Sequence, residues 1–539
     1  MLITELLSKN AALYPDEVSL VEREPSIASR REITWLEFEN QSNKMANALI
    51  DFGVKKGDKV VLLLMNCLEW LPGYFGILKT GALAVPLNFR FTAEEIKKCT
   101  ATAEAKIFIY GPEFCERIEK IKDELSFIDK FIFVEAVSQT NASPCSKLKD
   151  DLASKFPDKY VTYAELLEKY PSDAPNVEIS DDEEAALYFT SGTTGMPKPI
   201  LLTHSNLMSA CITENKHHHQ THDDNFLCIP PLYHTGAKMH WFGSLLVGSK
   251  AVILKGVKPE WILEAVSEEK ATIVWLLVPW AQDILNEIES GRLNLDDYEL
   301  KQWRLMHIGA QPVPPSLVHR WKEFFPNQLY DTNYGLSEST GPGCVHLGVE
   351  NIHKVGAIGV PGYGWEAMIV DDAGNPVPDG TVGELVVKGP GVMKCYYKNP
   401  EATAKVLKNG WLYTGDMAKR DKDGFIYLVD RKKDVIISGG ENIFPVEVEN
   451  FLMTHSDIKD AAVIGMPDKR LGEIPVAIIE TKDGRIISEE ALLEFCKALP
   501  KYKRPKKIIF DKVPRNPTGK IEKPKLREKW CGIKEALFV

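Results

Sequence analysis

The sequence predicts an α/β protein of several units, with parallel sheets first, a small antiparallel barrel or sheet next, and a tail with its own strands and helices. Three observations predict this. At 539 residues the chain is too long for one compact core. Up to about residue 350, short apolar runs alternate with amphipathic ones, the pattern of strands joined by helices over parallel sheets. Beyond that point short β-like runs are separated by the turn clusters GVPGYG, DDAGNPVPDG and KGPG.

The elements follow in order. Residues 2–14 have helical spacing, residues 33–35 begin a strand, and residues 38–52 form an amphipathic helix. KVVLLL at 59–64 is an apolar strand, 70–80 a helix and 82–87 another strand. Thr92 precedes Glu95 by three residues, a helix N-terminus with a capping box. Strands at 105–110 and 130–134 continue the alternation, and 136–180 is a polar surface excursion. Later strands are expected at 226–230, 251–254, 272–278, 304–309 and 328–330.

Composition narrows the class. Hydrophobic residues make up 44% and charged residues 26%, values of a soluble globular chain. A net charge of −11 argues against a nucleic-acid partner. Ten cysteines without C-x-x-C spacing exclude a zinc ribbon and a dithiol motif, and point to a reducing cytoplasm. The stretch 70–89 is the most apolar, yet Pro72, Lys79, Pro86 and Asn88 interrupt it, so a buried helix and strand are expected there and no integral membrane segment. No oligomer is predicted.

Residues 188–203 read YFTSGTTGMPKPILLT. An apolar strand runs into Thr190, Ser191, Gly192, Thr193, Thr194 and Gly195, and then Lys198. Glycines let backbone approach a bulky anion, hydroxyls and N–H groups donate to phosphate oxygens, and lysine adds a positive charge. The spacing is not that of a Walker loop. Further on stand PLYHTG at 231–236, GAQP at 309–312, DTNYGLSE at 331–338, WLYTGD at 411–416, DRKKD at 430–434, SGGENIFP at 438–445 and PRNPTGK at 514–520. His218 and His222 are four apart and are a candidate metal pair on one helix face, but the sequence sets no third ligand beside them, and a solvated His-rich helix end is the preferred reading.

These motifs, in this order over most of the chain, resemble the adenylate-forming enzymes: acyl-CoA synthetases, adenylation domains of peptide synthetases and the firefly luciferase type. Pro199 stands where that family usually has glycine, and Ser337 replaces a threonine but keeps its hydroxyl. The resemblance implies an N-terminal domain, residues 1–430, of layered α/β subdomains plus a small β-barrel. It also implies a hinge at 431–433 and a small mobile α+β C-terminal domain at 434–539. It implies ligation of a small-molecule carboxylic acid to coenzyme A (CoA) through acyl-AMP, with ATP and Mg²⁺; alternatives are loading of a separate carrier protein and a medium-chain fatty acid–CoA ligase.

By that resemblance, Thr190 to Lys198 would hold the β- and γ-phosphates, Glu338 would bind Mg²⁺, and Ser337 would donate to the α-phosphate. Asp416 would accept the ribose hydroxyls, with Arg431 beside it. Gly309, Ala310, Gln311 and Tyr334 would flank adenine, within the segment Asp331, Thr332, Asn333, Tyr334 and Gly335. Either Asp331 or Asn333 would read adenine's amino group. Lys520 would be the catalytic lysine, His234 would border the substrate carboxylate, and Lys433 would be the hinge. Ser438, Gly439 and Gly440 would line a pantetheine channel. Candidate acid-pocket residues are His234, Trp241, Trp280, Ala310, Leu336 and Gly341; the two tryptophans suit a compact acid (short, alicyclic or aromatic) and are equally readable as core.

Overall fold

Residues alternate between faces along the central strands, and that alternation builds the fold. In the strand Lys59–Leu63, Val60 and Leu62 enter one core while Val61 and Leu63 enter another. In Asn225–Cys228, Phe226 and Cys228 join the first of these cores and Leu227 a third. The core shared by both strands is filled by the helices Trp35–Asp51, Trp70–Lys79 and Thr235–Val247. The result is layered: outer helices, a sheet, a central helical layer, a second sheet, and outer helices again. The computed structural model describes residues 1–135, 159–190, 197–309, 313–515 and 520–532.

The first sheet has eight strands in the order Cys395–Tyr396, Lys198–Thr203, Glu184–Thr190, Leu83–Pro86, Lys59–Leu63, Ile107–Tyr110, Lys130–Phe133 and Tyr160–Thr162. It is parallel from Glu184–Thr190 to its far edge and antiparallel at the other. The second has seven, in the order Leu329–Asp331, Leu305–Gly309, Ile273–Leu277, Asn225–Cys228, Lys250–Leu254, Val18–Glu24 and Ser29–Thr34. Only its last pair is antiparallel. The strand Val18–Glu24 was not expected from sequence, because its charged residues hide the alternation. All of Trp70–Lys79 is buried, as expected of that apolar stretch, and no described helix is long and apolar enough to cross a membrane. Thr92 caps Ala93–Ala103 by accepting from the Glu95 N–H.

The turn-rich region forms antiparallel sheets. One joins Asn333–Leu336, Gly341–His346 and Val360–Pro361; the other joins Glu366–Val370, Gly383–Lys388, Trp411–Arg420, Leu407–Lys408 and Ile426–Arg431. From Ile436 onward the chain builds two cores of its own around the long hairpin Ile458–Asp468 and Gly472–Thr481. Among the described residues eight cysteines are free thiols and Cys115 is disulfide-bonded, which departs from the reducing setting that the cysteine spacing suggested.

Candidate active site

The cleft lies where these sheets and the C-terminal region meet, and its residues can be built up one element at a time. Glu184–Thr190 and Lys198–Thr203 pair in an antiparallel ladder whose last register is Thr190 with Lys198. Thr190 and Lys198, the two ends of the candidate phosphate loop, thus stand opposite each other, while Ser191, Gly192, Thr193, Thr194 and Gly195 lie outside the described residues, as do Ala310 and Gln311. The Lys198 ammonium lies 5.3 Å from the centre of the Tyr396 ring. The Tyr396 hydroxyl in turn donates to Glu338 at 2.8 Å. Tyr396, which the motifs did not single out, thus links the loop's lysine to the candidate magnesium ligand. Glu338 is a partly exposed carboxylate, and such a hard oxygen ligand beside a polyphosphate site suits Mg²⁺.

Asp416 and Arg431 face each other across neighbouring strands, with Nε 3.2 Å from the carboxylate. The Tyr334 hydroxyl donates to the other carboxylate oxygen. Asp416 holds Arg431 above the ordinary guanidinium value despite its burial. Lys520 stands in the same field. Burial pushes its ammonium down to about 8, with Arg431 adding repulsion and Asp416 and Glu338 pulling the other way.

His234 caps the helix Thr235–Val247. Its Nδ1 accepts from the Gly236 N–H at 3.1 Å. Burial, then Lys520 and Lys238, lower its pKa to about 4. At neutral pH the ring is therefore neutral, and with Nδ1 an acceptor its proton sits on Nε2, a donor for a carboxylate. Ser337 shares a 3.3 Å hydroxyl contact with Thr235 at the same helix start. Gly341 passes that helix so closely that a Cβ would lie 3.3 Å from the Thr235 carbonyl, which brings Leu336 and Gly341 alongside His234.

Several candidates fall elsewhere. Trp241 is fully buried in the central layer, 6.1 Å from Phe38 and from Phe75, so it is a core residue. Trp280 packs against the core on the outer face of the second sheet. Trp275 belongs to the same buried core as Trp241 but packs nearer the His234 turn: a Cβ on Gly236 would lie 3.0 Å from its ring, and one on Gly309 would lie 4.0 Å from its Nε1. Asp331 and Asn333 separate. Asp331 is fully buried, accepts the Gly348 N–H at 3.0 Å and faces three histidines; Asn333 is partly exposed. Burial alone would raise the Asp331 carboxyl, but His346, His218 and His307 hold it well below its usual range. Thr332 is buried and its carbonyl accepts from Leu347. His218 and His222 share no helix face, because the helix His204–His218 ends between them. His218 is buried, not solvated, while His222 stacks on Tyr14 at 4.0 Å.

Ser438, Gly439 and Gly440 form a turn between Ile436–Ser438 and Glu441–Ile443. Both glycines have positive φ, +60° and +87°, and lie exposed. Lys433 is exposed too. One turn after His234, Lys238 is fully buried, with its ammonium donating to the Tyr188 hydroxyl and 4.7 Å from the Tyr74 ring; burial pushes its pKa well down.

This cleft is that of an ATP-dependent carboxylate-activating enzyme, and comparison with known proteins agrees. Residues 7–397 match the AMP-binding enzyme model, and 447–520 match the AMP-binding enzyme C-terminal domain. A feruloyl-CoA synthase of Amycolatopsis sp is 33% identical over 502 residues, 92% of this chain and 94% of that protein. A long-chain-fatty-acid–CoA ligase of Mycobacterium tuberculosis is 31% identical, covering 97% of this chain and 98% of that one. The crystal structure of the anthranilate CoA ligase AuaEII with anthranoyl-AMP superposes with a TM-score of 0.86 at 26% identity, over 98% of this chain and 97% of that one. The chain belongs to the AMP-binding enzyme family. It is an AMP-forming acyl-CoA ligase that uses a carboxylic acid, ATP and CoA.

Proposed function

We propose that this ligase activates a compact, ring-bearing carboxylic acid, and that the arrangement described is the one that makes acyl-AMP. Trp275 carries the first part. Its indole lies between Gly236, next to the His234 turn, and Gly309, so it fills depth that a long acyl chain would need. Among the relatives, feruloyl-CoA synthase, 4-coumarate–CoA ligase and anthranilate CoA ligase are named for aromatic acids, and this supports the same reading here. A fatty-acid ligase is also among them, and the tryptophan favours the ring over the chain. Pyrophosphate release with CoA and a panel of short, medium-chain, alicyclic and aromatic acids tests this. A preference for medium-chain fatty acids over ring acids would overturn it.

In this reading the substrate carboxylate accepts from His234 Nε2. One of its oxygens attacks the α-phosphorus, the bond to the pyrophosphate oxygen breaks, and acyl-AMP results. Two anions must meet, so positive charge and donors have to be fixed before reaction. Lys520 neutralises the reacting phosphate and carboxylate, Ser337 donates to the α-phosphate, and Lys198 with Thr190 and its loop holds the leaving pyrophosphate. Mg²⁺ held by Glu338 would offset triphosphate charge. Asp416, fixed by Tyr334 and Arg431, receives the ribose hydroxyls. Asn333 is the reader of adenine, since Asp331 is fully buried and faces three histidines.

The CoA thiol then loses its proton and attacks the acyl carbon, and AMP leaves. For that step Lys520 withdraws and Ser438, Gly439 and Gly440 move in. Lys433 suits a hinge because its neighbours are tied to different bodies. Lys432 pairs with Asp372 at 2.8 Å and Glu384 at 3.1 Å on the N-terminal side. Asp434 pairs with Arg527 at 2.7 Å on the C-terminal side. We assign residues 1–430 and 434–539 to the two bodies and place the enzyme in the cytoplasm, where ATP and CoA are available to it.

A further inference from the structure

Beneath the adenine-facing segments lies a cluster that the ligase reaction does not use. Glu214 and His218 sit one turn apart at the end of His204–His218, and His307, Asp331 and His346 come from three neighbouring strands. All five side chains are fully buried. His218 Nε2, His307 Nδ1 and His346 Nδ1 lie 2.9, 3.2 and 3.2 Å from a single oxygen of Asp331, Oδ2. His218 Nε2 and His307 Nδ1 are also only 3.0 Å from each other.

Three ring nitrogens crowd a single carboxylate oxygen. If all three rings donate to the one oxygen, two N–H groups converge head to head across 3.0 Å. Ligands about 2.0–2.1 Å from a tetrahedral zinc ion stand roughly 3.3–3.4 Å apart, close to the spacings here. A carboxylate stands near the outer nitrogens of two of the rings. His218 Nδ1 is 3.2 Å from Glu214 Oε1, and His346 Nε2 is 3.6 Å from Glu214 Oε2. A carboxylate behind a ligating imidazole fixes its tautomer and aim.

We propose that His218, His307, His346 and Asp331 bind one divalent transition-metal ion of the zinc type, with Glu214 orienting two of the histidines. Imidazole nitrogen and carboxylate oxygen are the donors such ions take. The ion joins the end of one helix to three strands. Two of these strand ends lead directly into Gly309 and Asn333, so its role is to stiffen the floor of the nucleotide site. It is separate from the Mg²⁺ expected with ATP.

The test is metal content of the full-length enzyme, made without a histidine tag in zinc-supplemented medium and passed through chelator while folded. We expect about one zinc per chain to survive the chelator and to be lost only when the protein is unfolded in its presence. Growth with cobalt should give the visible spectrum of a tetrahedral Co²⁺ site. His307→Gln and Asp331→Asn should lower metal content at least tenfold, while the surface changes His219→Ala and His222→Ala should leave it unchanged. Folded wild-type enzyme with less than about a tenth of an ion per chain from both media would overturn the proposal, as would metal retained in His307→Gln. If the two variants do not fold, the wild-type stoichiometry and cobalt spectrum decide.

Discussion

Lys520 and the Gly439–Gly440 turn belong to the same C-terminal region, yet they stand in opposite relations to the cleft. Lys520 is drawn in among Arg431, Asp416 and Glu338, and its charge is felt at His234. The glycine turn is exposed, held only to its own sheet, where the Gly439 N–H donates to the Leu471 carbonyl at 2.8 Å. One body cannot offer both surfaces to one site at once. The difference teaches that, with Lys520 proposed for the first half-reaction and the glycine turn for the second, the two should be separable by mutation.

The sharpest way to break that comparison is Lys520→Ala. Loss of a positioned cation at the reacting phosphate should cut acyl-AMP formation by about 10²–10⁴-fold. Thioester formation from supplied acyl-AMP and CoA should stay within about threefold of wild type. Equal losses in the two single-turnover assays would show that Lys520 is not confined to the first step.

Next comes Lys433→Pro. Proline fixes φ near −65°, so the residue between the two tethered neighbours can no longer swing. Thioester formation should slow by roughly tenfold or more while acyl-AMP formation changes little. An unchanged thioester rate in stopped flow would remove Lys433 from the hinge.

Titration sharpens the same contrast. The Lys520 ammonium, lowered to about 8 by burial and Arg431, is charged below that pH and neutral above it. The acyl-AMP rate should therefore fall about tenfold per pH unit above 8, and the fall should be absent in Lys520→Ala. His234, at about 4, stays neutral across this range and adds no limb of its own until the solution is acid. A basic limb that survives in Lys520→Ala would assign it to another group.

Much of this cleft was legible in the sequence because its parts are short, local and chemically pointed. His234, Ser337, Glu338, Asp416 and Lys520, which the structure gathers in one region, each stand in a motif of a few residues, whereas the glycine and hydroxyl loop lies outside the described residues. The layered sheets were legible because apolar alternation survives in nearly every strand, and Val18–Glu24 was missed where charges break it. What stayed hidden depends on which way a side chain points across distant segments. Trp241 and Trp275 both sit in apolar runs and enter the same core, and only packing tells that the second lies against Gly236 and Gly309. Tyr396 lies in a turn-rich stretch with no motif around it. His218 read as part of a solvated run because its partners His307, Asp331 and His346 lie far along the chain.

The smallest expected effect concerns the acid, and it tests the comparison from the other side. In the proposed reading Trp275 bounds the acid site, which both half-reactions share, so its replacement should not separate them. Trp275→Leu keeps the site apolar while opening space beside Gly236 and Gly309. The preference for a ring acid over a medium-chain acid, read as the ratio of kcat/KM values, should drop by about tenfold, the scale set by a few methylenes in an apolar pocket. That shift should appear equally in acyl-AMP formation and in the overall reaction, because Trp275 lies in the strand Ile273–Leu277, outside the C-terminal region. A shift confined to the thioester step would instead place Trp275 on the path of the pantetheine arm, and the compact-acid reading would have to rest on other residues.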